Sequence, residues 1–105
     1  MESIQPEVLR SAIKEVWIRA LTEVQPDVLN ALVKARAEET NPRGQQYLDI
    51  LIENAKKAKE NRIVICQDTG VPTFFVKTSL SFPFTGDIRA EFDGALRDLT
   101  KKEFP

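Results

Sequence analysis

The stretch Ile63-Val64-Ile65-Cys66-Gln67-Asp68-Thr69-Gly70-Val71-Pro72-Thr73-Phe74-Phe75-Val76-Lys77-Thr78 decides how the rest of the chain is read. Before it, apolar residues recur at helical spacing; within it, that period is lost. Ile63-Val64-Ile65 is apolar and β-branched, and it stops at a polar pentapeptide closed by Gly70, with Pro72 just beyond. That is the form of a strand feeding a rigid loop, where chemistry is often placed. Thr73 to Thr78 predicts a second strand by propensity. Its three consecutive apolar residues, Phe74, Phe75 and Val76, predict burial on both faces. These two runs make the expected fold class α+β. Residues 1–62 are read as a helix-rich half of three helices, and residues 63–105 as short strands, a loop and a final helix.

Working back from the stretch, Leu48, Leu51, Ile52, Ala55 and Ala58 form the stripe of a long helix opened by Asn41 as N-cap and Pro42 at its first position. Asn61 can cap its end in the left-handed conformation. Lys56, Lys57 and Lys59 near that end read either as a solvated face suited to the helix dipole or as an anion patch. Val28, Leu29, Leu32, Val33, Ala35 and Arg36 carry a preceding helix that begins at Pro26. Leu9, Ala12, Ile13, Val16, Trp17, Ala20 and Leu21 give the first helix its face, with Trp17 as a core anchor. The short link between these two helices predicts an antiparallel pair.

Forward of the stretch, Ser81-Phe82-Pro83-Phe84 is irregular, because Pro83 cannot donate to a ladder. Thr85-Gly86-Asp87 opens a last helix with Ile88, Phe92, Ala95, Leu96 and Leu99 as its stripe. Glu103-Phe104-Pro105 has the look of a cut rather than a finished end. Residues 1–105 are therefore expected to be a single partial domain, a fragment of a larger one.

Composition narrows the function classes. The chain is 42% hydrophobic and 30% charged, which excludes a disordered segment, and its net charge of -1 gives no general attraction for nucleic acid. No apolar run approaches the ~20 residues of a membrane span. The first residues lack the basic start and apolar core of a signal peptide, and one cysteine cannot form an internal disulfide, so a cytoplasmic location is expected. The absence of histidine removes Ser-His and Cys-His pairs, His metal ligands and the commonest general base.

Chemistry then falls to the pentapeptide. A Cys66 thiolate is a soft metal ligand. Gln67 offers amide donors and an acceptor, and Asp68 can accept a hydrogen bond or move a proton. Thr69 adds a hydroxyl and Gly70 lets the backbone approach a ligand. The alternative stays open on the residues alone: a lone cysteine after a β-branched run is often a buried small hydrophobe, and Asp-Thr-Gly is an ordinary turn.

Cys66-Gln67-Asp68-Thr69-Gly70 followed by Thr73-Phe74-Phe75-Val76-Lys77 resembles the class I iron-sulfur fumarate hydratase and L-tartrate dehydratase family, in the N-terminal part of its α subunit. Asn41-Pro42-Arg43-Gly44, Glu53-Asn54-Ala55, Phe82-Pro83 and the Gly86 helix start extend the likeness through most of the chain. The resemblance implies that Cys66 is one of three thiolates holding a 4Fe-4S cluster. It implies substrate binding by Gln67 and Asp68, with Asp68 also catalytic as proton donor to the leaving hydroxyl. The reaction class is reversible dehydration of a hydroxy-dicarboxylate, with fumarate and malate preferred and L-tartrate the alternative. Two further cysteines and a substrate-binding arginine of the family fall beyond Pro105, and its proton-abstracting threonine belongs to the other half of the enzyme. Thr78-Ser79 lies where many relatives have a nearby glycine. The chain alone is therefore expected to be inactive and not to hold the cluster. The implied partners are the rest of the α subunit and a β subunit or domain. A non-enzymatic helical module that binds a partner subunit, or a small α+β domain with a buried cysteine, are the competing readings. Cys66 is expected just past a strand end with Gln67 and Asp68 near it, and an exposed apolar patch is expected around Phe74, Phe75 and Phe82, open to self-association as a homo-oligomer.

Overall fold

The computed structural model describes residues 2–65 and 71–104. Its elements are α1 (Pro6–Thr22), α2 (Pro26–Glu38), α3 (Pro42–Asn61) and α4 (Ile88–Lys102). The chain divides into two compact units, one of Met1–Trp17 with Thr69–Pro105 and one of Ile18–Asp68.

The α+β expectation is overturned: among the described residues there is no strand. Ile63–Ile65 and Thr73–Thr78 are extended in sequence character, but a strand exists only where a neighbour accepts and donates the ladder bonds. Helices and loops surround both runs instead, and β propensity measures fit to a sheet surface that is not built here.

In the Ile18–Asp68 unit, α2 packs on α3. On α2 no side chain is buried: Val28 and Val33 are exposed, and Leu29, Leu32 and Arg36 make the half-buried face. Arg36 Nε donates to Asp49 Oδ1 of α3 at 2.7 Å. The core of this unit is Ile18, Ala55 and Ala58, with the Thr22 hydroxyl buried and donating to the Ile18 carbonyl at 2.8 Å. Small residues at 55 and 58 let neighbours close on α3, whereas Leu51 of the expected stripe remains exposed.

The ends of α3 follow the local rules. The Asn41 side chain accepts from Arg43 N–H at 2.9 Å, a cap of about 1 kcal/mol. Glu39 folds back to accept from the N–H groups of Thr40 and Asn41 at 3.1 and 3.0 Å. Gly44 lies against it so closely that a Cβ would meet Glu39 Cδ at 2.8 Å. At the other end Arg62, one residue later than expected, takes the left-handed conformation (φ 55°, ψ 46°). The amides of Arg62 and Ile63 both point to the Ala58 carbonyl, so the last turn is closed and the chain is turned away from the helix axis.

In the other unit, Ile13, Ala95 and Leu99 are buried. Phe74 sits between two rings, 5.6 Å from Trp17 and 4.7 Å from Phe92, the latter edge-on at 65°. This supports Trp17 as a packing residue. Asp87 caps α4 by accepting from Ala90 N–H at 3.1 Å. Pro83, which cannot donate, instead accepts from Ile4 N–H at 2.8 Å.

Candidate functional site

Cys66, Gln67, Asp68, Thr69 and Gly70 lie outside the described residues. The expectation that Cys66 sits just past a strand end loses its strand, because Ile63–Ile65 is not one.

The residue that leads into the pentapeptide is held from two elements. Ile65 N–H donates to the Leu21 carbonyl at 2.9 Å. Leu21 is in the last turn of α1, where carbonyls have no partner within the helix, so the bond also closes that helix end. The Ile65 carbonyl accepts from Asn54 Nδ2 on α3 at 2.9 Å. Both backbone groups of Ile65 are thus satisfied without a sheet. Sequence reading used Asn54 only as part of the family likeness and missed this bond. The available signal was an asparagine, a poor helix former, in the middle of a long helix.

Beyond the pentapeptide, Val71 is 86% exposed, Phe75 96% and Val76 57%. Burial on both faces is therefore corrected: only Phe74 turns inward, because α1 and α4 cover one side of the segment. Phe82 and Phe84 are half-buried against each other, 6.5 Å between centroids, so the exposed apolar surface centres on Phe75 rather than on all three expected phenylalanines. An apolar groove of about 310 Å³ runs here, lined by Ile13, Val16, Phe74, Phe75 and Phe92, with Lys77 as its charged wall. Its lining suits an apolar segment and offers little to a dicarboxylate.

Four charged side chains of this unit, Arg10, Lys14, Glu91 and Asp98, pair with one another. Arg10 Nε reaches Glu91 Oε2 at 2.9 Å, and Lys14 Nζ reaches Asp98 Oδ2 at 2.9 Å. The Lys14 hydrogen bond, followed by the charges of Lys14, Arg10 and Lys102, holds the Asp98 carboxyl below its ordinary value, against an opposing effect of desolvation. In the other unit Lys57 pairs with Glu53 at 3.6 Å on an exposed face, which favours the solvated reading of the lysine run.

A four-iron cluster needs several thiolate ligands. Among the described residues no group of three or more His, Cys, Asp or Glu is placed to hold a metal. The whole chain carries one cysteine and no histidine. The residues of this chain therefore do not fit such a cluster by themselves; one thiolate is the most they can offer.

Comparison with known proteins adds what the geometry leaves open. The family model described as Fumarate hydratase (Fumerase) matches residues 10–104. A Methanocaldococcus jannaschii protein provisionally named as the alpha subunit of L(+)-tartrate dehydratase is 36% identical over 69 residues, 66% of this chain and 24% of that protein. The L(+)-tartrate dehydratase subunit alpha of Escherichia coli K12 is 31% identical over 81 residues, 77% of this chain and 27% of its own length. A Geobacillus stearothermophilus protein provisionally named as a class I fumarate hydratase is 38% identical over 72 residues, 68% of this chain and 14% of that protein. The chain thus spans about a quarter or less of these relatives. No solved structure matches it.

Proposed function

The chain belongs to the fumarate hydratase (Fumerase) family, and on that premise we propose that it forms part of an iron-sulfur hydro-lyase that reversibly dehydrates a hydroxy-dicarboxylate, malate to fumarate being the preferred substrate pair. The observation that carries this reading is the family match over residues 10–104, which contains the whole Cys66-Gln67-Asp68-Thr69-Gly70 pentapeptide.

Each residue of the pentapeptide has a role its chemistry suits. Cys66 would give one thiolate to a cluster that other segments complete; bound there, the cluster supplies Lewis-acid chemistry. Gln67 would bind a substrate carboxylate through its amide N–H groups. Asp68 would bind the substrate and, when protonated, deliver its proton to the leaving hydroxyl. The partners in this reading are the remainder of an α subunit and a β subunit, in a reducing cytoplasm where a lone thiol persists.

L-tartrate is the second substrate to consider, because the Methanocaldococcus and Escherichia relatives carry the name of L(+)-tartrate dehydratase subunit alpha. The test is an assay of the assembled enzyme on fumarate and on L-tartrate after anaerobic cluster loading. Asp68→Asn is expected to lower kcat by about 10²- to 10⁴-fold with the cluster retained, the usual worth of a general acid. A Cys66→Ser enzyme with full activity and an intact cluster would sink the ligand role.

A further inference from the structure

We propose that Asn54 is a positioning residue for the pentapeptide: it fixes the peptide unit through which the chain enters Cys66. This rests on the functional reading above, but the geometry that carries it lies wholly within the described residues of one unit. Asn54 Nδ2 to Ile65 O, at 2.9 Å and half-buried, spans eleven residues of sequence. Ile65 N–H to Leu21 O, also 2.9 Å, holds the other side of the same residue. The Ile65 carbonyl is the last described backbone group before Cys66, so holding it holds the point at which the chain enters the pentapeptide.

The arrangement has features that helix packing alone does not need. Asparagine in a helix interior is less favourable than alanine by roughly 0.5 kcal/mol, so its presence at 54 asks for a compensating bond. Ala55 and Ala58 already provide the buried face of α3. The Asn54 bond goes to the carbonyl of Ile65, the last described residue before the pentapeptide. Removing the donor strands that half-buried carbonyl, and the cost falls on the approach to Cys66 rather than on the helix.

Hydrogen exchange of the intact chain tests this without reference to activity. In Asn54→Ala the Ile65 carbonyl loses its donor while Ile65 N–H keeps the Leu21 carbonyl as acceptor. With one of its two anchors gone, local opening at Ile65 costs less, and its amide is expected to exchange about tenfold faster at neutral pH while the amides around Ala55 and Ala58 keep their protection. Asn54→Asp has the same shape but, when ionised, faces the Ile65 carbonyl with acceptors only, so it should behave like the alanine variant at pH 7. As the pH falls below about 4 its carboxyl regains a proton to donate, and Ile65 protection should return relative to alanine. Unchanged Ile65 exchange in both variants overturns the proposal, as does faster exchange spread evenly along α3, or unfolding in both variants, since each would make Asn54 a general stabiliser of the helix. These outcomes are independent of the Cys66→Ser assay: an active serine enzyme would end the ligand role and leave the Asn54 anchor standing.

Discussion

At the residue scale, the sharpest electrostatic feature is Asp98. Its carboxyl lies between Lys14 and Arg10, with Lys14 Nζ at 2.9 Å and Arg10 Nη1 at 3.9 Å. A carboxyl held below its ordinary value of 3.8 contributes stability that is present above that value and is lost as pH falls through the lower, folded value. Asp98→Asn is therefore expected to melt at a lower temperature than the parent near pH 7, with the gap closing below about pH 4. Melting curves from pH 7 to pH 3 check this, and a gap that stays constant over that range contradicts it. The group is partly exposed, so added salt should narrow the gap as well. None of this was legible in the sequence. Arg10 with Lys14 and Glu91 with Asp98 show spacings that place each pair along one helix face, but nothing in the order of residues says that the two faces meet.

The element that differs most from its sequence reading is Thr73–Thr78. Alternation along an extended chain turns Phe74 toward Trp17 and Phe92 and Phe75 the other way, to 96% exposure. The two phenylalanines are neighbours in sequence and opposites in energetic role. Phe74→Ala is expected to cost about 2 kcal/mol in denaturant unfolding, reduced from a full core value because the ring is only half-buried. Phe75→Ser should stay within about 0.5 kcal/mol of the parent while lowering any concentration-dependent association seen by sedimentation. Equal losses for the two substitutions would show that the segment is not oriented as described. The helices were more legible. Pro26, Pro42 and Asp87 marked helix starts correctly, because capping is a matter of a few consecutive residues. Which face each helix buries was less so: Ile18 is buried, although it lay off the stripe read for α1, and Val16 within that stripe is 59% exposed.

At the scale of the molecule, the chain carries one thiol, and the part of it that matches covers 24%, 14% and 27% of its Methanocaldococcus, Geobacillus and Escherichia relatives. Iron and sulfide added anaerobically to the chain alone should yield no stable four-iron cluster, as read by visible absorption after desalting. A cluster that survives desalting at one per monomer would mean that groups other than several thiolates hold it.

Sequence by itself determined the helix starts, the position of the one polar pentapeptide, the family and the scarcity of metal ligands. Each of these is local or compositional, so neighbours in the chain suffice to fix it. Tertiary structure alone decided that the two β-prone runs form no sheet, since a strand is a relation between segments and no partner is built among the described residues. It also decided that Asn54 and Leu21 share the two backbone groups of Ile65. A buried carbonyl or amide takes whichever donor or acceptor packing brings within reach, and that choice is made only when the helices meet.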